Sequence, residues 1–147
     1  MTELADFRRI ASGDAFLCIV ATTRADGSVQ ASLVNAGVMT HPSGTGEVVA
    51  FVARGGAAKI AHVRARPHAT VVARAGWEWA AVEGPVELIG PDDPAAGVDA
   101  ERLRQLLRAV FVAAGGTHDD WDEYDRVMAS DRRVVVLVRP DRVYSNG

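Results

Sequence analysis

The stretch EVVAFVARGGAAKIAHVRARPHATVVAR, residues 47–74, decides how the chain is read. Residues 47–54 are apolar and rich in β-branched side chains, the composition of a buried strand. Gly55-Gly56 turns the chain. Residues 57–66 read as a short basic helix, and Pro67 stops it by restricting the residue before it to extended backbone. Residues 68–74 read as a second strand. A helix start carries backbone N–H groups without intrahelical partners, and the helix dipole favours negative charge there. The stretch also holds Lys59, the one lysine among sixteen basic side chains. By this reading it is an anion seat.

The flanking segments read mainly as strands. Residues 2–12 form an amphipathic helix with Leu4, Phe7, Ile10 and Ala11 on one face, Thr2 as a cap and Gly13 as the stop. Residues 15–23 read as a buried strand containing Cys18, which has apolar neighbours and no activating base, so it reads as a core thiol. Asp26-Gly27 is a hairpin signal. The return strand, 28–39, alternates, with Val29, Ala31 and Leu33 on one side and Gln30, Ser32 and Val34 on the other. Asn35 breaks that pattern. It is either a turn or bulge amide or a hydrogen-bonding group for a heteroaromatic ring lying on the sheet. Residues 40–47 are a loop. Its Gly-Thr-Gly precedes a strand and opens no helix, unlike a dinucleotide fingerprint.

A hairpin at Gly76 leads into a long strand, 77–90, with Trp77 and Trp79 on one face and Gly84-Pro85 as a bulge or edge. A proline-rich link, 91–99, precedes a helix whose apolar face comprises Leu103, Leu106, Leu107, Val110 and Phe111. Gly115-Gly116 ends it, and Thr117 starts a second helix. The acids Asp119, Asp120, Asp122, Glu123 and Asp125 lack calcium-loop spacing and suit a helix first turn. The last segment, 133–146, is apolar enough to be a central strand as far as Pro140. Six or seven strands in hairpin and loop connections favour a closed antiparallel barrel over a doubly wound sheet.

Composition excludes several function classes. The chain has 147 residues, 48% of them hydrophobic and 24% charged, which predicts one globular domain over 1–147. The net charge of −3 argues against a nucleic-acid or anionic-membrane binder. No apolar run suits a membrane span, and the first ten residues have no signal-peptide core, so a cytoplasmic location is expected. One cysteine excludes an internal disulfide. The motifs for hydrolysis and phosphate transfer, G-x-S-x-G, the P-loop and H-E-x-x-H, do not occur. The four histidines (His41, His62, His68 and His118) are dispersed, and no metal set is expected. If the chain is an enzyme, a cofactor supplies the chemistry.

The run FVARGGAAKIAHVRARP (51–67), the Asp-Gly hairpin before it, EGPVEL (83–88) after it, and GGTHDDWDEYDRVM (115–128) followed by RVVVLVRPDRVYSN (133–146) resemble the pyridoxamine 5′-phosphate oxidase-like split-barrel superfamily, and within it the deazaflavin-dependent branch. The resemblance implies a mainly β (α+β) fold, a six-stranded antiparallel split β-barrel with peripheral helices. It also implies a homodimer with cofactor sites between subunits. The strand with Ser32, Val34, Asn35 and Ala36 would face the cofactor's rings. Phe51, Val52, Ala53, Arg54 and Lys59 would form the phosphate end, with Lys59 on the family's phosphate-contacting lysine. The partner would close the site with Trp77, Trp79 or the region of Tyr144. The family's FMN-binding members often carry a hydroxyl at the position of Ala53 and a hydroxyl and an arginine at those of Ala57 and Ala58. Losing those donors favours coenzyme F420 over FMN, with its tail spread over Arg54, Lys59, Arg64 and Arg66. Arg64 and Arg66 read equally well as a solvated helix face. The implied activity is hydride transfer from reduced F420 to an unsaturated or conjugated small molecule. An FMN oxidase or reductase and a non-catalytic cofactor or tetrapyrrole binder are the alternatives. The site's proton donor is unassigned, with Tyr124, Tyr144 and His118 as candidates beside solvent.

Overall fold

In the computed structural model, which describes residues 1–146, the 47–74 stretch folds as the sequence predicts. Strand β3 (Glu47–Ala53) leads through Arg54–Ala57 into a helix over Ala58–Ala65, and a strand over His68–Ala75 follows. In chain order the elements are α1 (Leu4–Ser12), β1 (Leu17–Thr23), β2 (Val29–Thr40), β3, α2 (Ala58–Ala65), β4 (His68–Ala75), β5 (Glu78–Ile89), α3 (Ala100–Ala113), α4 (Trp121–Ser130), β6 (Val134–Val138) and β7 (Arg142–Tyr144). The strands run in the order β4-β1-β2-β3-β6-β5-β7, and β4 also pairs with β5. Every pairing is antiparallel. Six strands therefore close a barrel, with β7 added on β5. Closure leaves no unpaired edge among those six.

Strand composition follows from what each face meets. In β3, Val49, Phe51 and Ala53 point into the barrel, and Val48 and Ala50 point out beneath α3. In β6, Val134, Val136 and Val138 point in, while Val135 and Leu137 join Leu106, Leu107 and Val110 of α3 and Tyr124 of α4. Both strands are covered on both sides, which is why they read as unbroken apolar runs. Helix α1 caps the barrel interior with Phe7, Ile10 and Ala11.

Strand β5 serves both halves of the barrel. Residues 78–85 pair with β4 and residues 86–89 pair with β6. The change of partner falls at Gly84-Pro85, where the Pro85 carbonyl accepts from Arg139 N–H at 3.0 Å. The predicted bulge or edge is thus a corner that turns the strand from one half to the other.

Several local expectations need correction. The first strand starts at Leu17, because Ala15 and Phe16 occupy the left-handed region at φ 54° and 59°. It is not buried throughout: Cys18, Val20 and Thr22 face in, while Leu17 and Ile19 are exposed. Glu3, not Thr2, caps α1, in a reciprocal capping box with Asp6. Trp77 is not a strand residue. With Gly76 (φ 63°) it forms the two-residue turn between β4 and β5, and it is fully exposed. Thr117 does not start a helix. Asp120 caps α4 by accepting from Glu123 N–H at 3.1 Å. Gly115 and Gly116 do end α3, with N–H bonds to Val112 and Phe111 carbonyls (both 2.9 Å) in a Schellman closure.

Candidate functional site

A cavity of about 680 Å³ lies between the barrel wall and the α3–α4 pair. Its barrel side is Leu33, Val34 and Asn35 of β2 and Val52 and Ala53 of β3. Its helical side is Phe111 and Val110 of α3, His118 of the connection, and Tyr124, Val127 and Met128 of α4. Arg54, Ala57 and Lys59 of the turn into α2 and Arg133 at the start of β6 supply its cationic part. Close backbone approach allows this assembly. A β-carbon on Gly37 of β2 would lie 2.3 Å from the Ala113 carbonyl oxygen, so the C-terminal end of α3 rests directly on β2.

The cations differ in how they are held. Arg54 and Arg133 both reach Asp131, at 3.8 and 3.1 Å. Lys59 makes no ion pair or side-chain hydrogen bond among the described residues, and it is half-buried. It sits in the first turn of α2, whose N-cap, Ala57, offers no side-chain acceptor, and no acid lies in that turn. The Ala58 and Lys59 N–H groups and the Lys59 ammonium are therefore donors without acceptors among the described residues.

The polar groups of the apolar part are mostly committed. Asn35 is neither a turn nor a bulge amide. It sits in mid-strand opposite Leu17, and its Nδ2 donates to the Ala15 carbonyl at 3.1 Å. That bond, with Ala36 N–H donating to the Phe16 carbonyl at 3.0 Å, pins the left-handed Ala15-Phe16 pair. The Tyr124 hydroxyl donates to the Leu107 carbonyl at 2.8 Å, and burial pushes its pKa up to about 12. His118 Nδ1 accepts from Asp120 N–H at 2.9 Å. Its ring is packed by Phe111, Trp121 and Tyr124 at centroid distances of 6.4, 5.9 and 5.8 Å.

The chain matches the model described as pyridoxamine 5′-phosphate oxidase over residues 6–147. The chain belongs to the pyridoxamine 5′-phosphate oxidase family. It is thereby a split-barrel member of a flavin-binding oxidoreductase family. Among similar solved structures, a conserved hypothetical protein of Mycobacterium tuberculosis is 17% identical (TM-score 0.69), the match covering 99% of this chain and 84% of that one. An F420 reductase is 18% identical (TM-score 0.60), covering 88% and 90%. A pyridoxamine 5′-phosphate oxidase-related, FMN-binding protein of Nostoc punctiforme is 16% identical (TM-score 0.62), covering 95% and 78%. Likeness at these identities speaks for the fold. Among the described residues, no helix is long and apolar enough to cross a membrane.

Around this cavity, the sequence-derived residues divide. Val34, Asn35, Val52, Ala53, Arg54 and Lys59 line the cavity. Ala36 and Phe51 pair across β2 and β3, and both side chains are in the core. Ser32 pairs with Val20 and lies outside the cavity wall. Arg64 is not a cavity cation: its Nε and Nη2 grip Asp93 at 3.0 and 2.7 Å. Arg66 is likewise occupied, donating to the Thr23 carbonyl at 2.7–3.0 Å. A tail bound through Arg64 and Arg66 would have to compete with these partners. Trp77 and Trp79 lie apart from the cavity of their own chain, and Trp79 packs edge-on against Tyr144 at 6.2 Å. Of the helical wall the sequence offers only Tyr124 and His118, as proton-donor candidates, and it does not point to Arg133. Arg133 opens an apolar strand and looks like an edge charge, and only the packing of α3 and α4 on β3 and β6 brings it to the site.

Proposed function

We propose that the protein is an F420-dependent oxidoreductase acting on an unsaturated or conjugated small molecule. The observation that carries this reading is Lys59, unpaired among the described residues, in the uncapped first turn of α2 at a cavity lined by Arg54 and Arg133. The residues fit a cofactor whose ring lies against a sheet and whose phosphate reaches a helix start. Leu33, Val34, Val52 and Val127 offer an apolar slot, and Lys59 with the α2 N–H groups offers the anion donors. Ala53, Ala57 and Ala58 contribute no hydroxyl or guanidinium there. A compact terminal phosphate such as that of FMN gains most from several converging side-chain donors, so their loss favours a phosphodiester. Arg133, in place of Arg64 and Arg66, extends the positive surface next to Arg54.

When bound, the deazaflavin supplies a hydride. This chain's residues supply position and dryness. The β2 and β3 walls hold one face of the slot, and α4 covers it with Tyr124, Val127 and Met128. Alignment of donor and acceptor in such a slot accounts for part of the ~7–11 kcal/mol available from proximity in well-oriented systems. Tyr124 does not serve as proton donor in this reading, since its hydroxyl is bonded to the Leu107 carbonyl.

The active form in this reading is a homodimer. The outer faces of β1 and β2 expose Leu17, Ile19, Val29 and Leu33, with exposures of 36–61%. The register sets Ile19 beside Leu33 and Val72, so these side chains form one patch. Leu33 and Asn35 belong both to that face and to the cavity lining. A second copy laid on the patch would close the slot, and an apolar patch of this kind marks an interface. FMN is the second reading, favoured by the family's flavin-binding character. Parallel titrations with F420 and FMN separate the two.

A further inference from the structure

The cavity wall contains an imidazole that the cofactor reading does not use. His118 Nδ1 accepts the Asp120 backbone N–H at 2.9 Å. A nitrogen that accepts carries no proton, so the neutral ring holds its proton on Nε2. Nε2 has no protein partner among the described residues. The ring is fixed in place by three aromatic neighbours and is about three-quarters buried, with 27% side-chain exposure. One nearby charge, Asp119, lies 3.9 Å from Nδ1 on the opposite edge and is itself fully exposed.

Of the other polar side chains of this wall, Asn35, Tyr124, Arg54 and Arg133 have protein work, whereas Lys59 and the exposed Glu123 have no side-chain partner among the described residues. The Asn35 amide nitrogen holds Ala15, and the Tyr124 hydroxyl holds the Leu107 carbonyl. Arg54 and Arg133 share Asp131 at the cationic part. A rigid donor held among Phe111, Trp121 and Tyr124 is a selective feature. A ligand that fills the slot without an acceptor strips water from Nε2–H and gives nothing back. A ligand with an oxygen there recovers the bond.

We propose that His118 is a specificity-determining residue whose Nε2–H donates to a carbonyl or quinone oxygen of the substrate. The substrate class is then a flat, largely apolar, neutral molecule carrying such an oxygen. This deepens the oxidoreductase reading and rests on it for the word substrate, but the recognition itself can be measured without turnover.

The test uses the purified protein, with whichever of F420 or FMN it binds, and two probes that differ by one oxygen, α-tetralone and tetralin. Calorimetric affinities and the imidazole 15N resonances are read together. The expected result is a His118 Nε2 shift on adding α-tetralone and none with tetralin. His118→Phe should lower the ratio of α-tetralone to tetralin affinity by about five- to tenfold, the worth of one hydrogen bond. His118→Gln, whose amide N–H replaces the Nε2 donor, should retain most of the ratio. Near-wild-type melting of His118→Gln separates a lost donor from a lost fold. No α-tetralone binding, an unshifted Nε2, or an unchanged ratio in His118→Phe overturns the proposal. Failure to bind either cofactor would sink the oxidoreductase reading alone, because the probe affinities are measured independently.

Discussion

The carbonyl oxygen of Arg139 lies 1.9 Å from where a β-carbon on Gly84 would stand. No side chain other than hydrogen fits between the two backbones. This approach lets β5 leave β4 and join β6, and it therefore closes the barrel. Gly84→Ala should force these backbones apart. The expected loss is about 1–3 kcal/mol or more, the usual range for overpacking, read as a lower denaturation midpoint. Unchanged stability would mean that the corner is pliable.

Burial of Cys18 and Tyr124 makes the fold sensitive to alkali. Burial pushes the Cys18 thiol from 9.0 up to about 12 and the Tyr124 phenol from 10.0 up to about 12. For both, the folded pKa exceeds the unfolded one. Their contribution is thus fully present below pH ~9 and is lost as pH rises from there through about 12. Urea unfolding at pH 8 and pH 11 should show the decline, and the Cys18 thiol should react with a disulfide reagent only on unfolding. Rapid modification of the native protein would contradict the burial of Cys18.

Asn35→Ala tests the tether to Ala15. Removing the 3.1 Å bond frees the left-handed pair Ala15-Phe16, each residue of which costs on the order of 1–2 kcal/mol to hold. A stability loss of about 1 kcal/mol is expected from the bond itself. An unaltered melting curve would show that Ala36 N–H suffices to pin this segment.

Much of this was legible in the sequence. The 47–74 stretch yielded its strand, turn, helix and strand because glycine and proline punctuate it, and local chemistry sets those boundaries. The barrel followed from hairpin signals at Asp26-Gly27 and Gly76. The site was only half legible. Val34 and Asn35 lie together on β2, and Val52, Ala53, Arg54 and Lys59 lie within eight residues of one another around the turn into α2. Phe111, His118, Val127 and Arg133 come together only because α3 and α4 pack on the outer face of β3 and β6, and no spacing rule reports that packing. Arg64 read either as a tail-binding cation beside Lys59 or as part of a solvated helix face, since both are cations on one short helix. What separates them is Asp93, an acid twenty-nine residues away that binds Arg64 in a two-pronged pair.

That contrast gives a paired prediction. Lys59→Ala should weaken cofactor binding by about 1.5–3 kcal/mol, the worth of a charge-assisted hydrogen bond, with the fold intact. Arg64→Ala should leave cofactor affinity unchanged and cost at most about 1 kcal/mol of stability, since its partner pair is partly exposed. Equal effects of the two substitutions on affinity would return Arg64 to the site.

Leu33→Glu addresses the partner. A carboxylate in the patch with Ile19 and Val72 should turn a dimer into a monomer in sedimentation and weaken cofactor binding with it. A wild-type monomer that binds cofactor would remove the second subunit from the account.

The central claim is that the seat around Lys59 is built for F420. Equilibrium titration of the purified protein with F420 and FMN in parallel, followed by fluorescence, tests it most directly. The account predicts saturable F420 binding at one equivalent per chain, with FMN at least about tenfold weaker. Tight FMN binding with no F420 binding would contradict it.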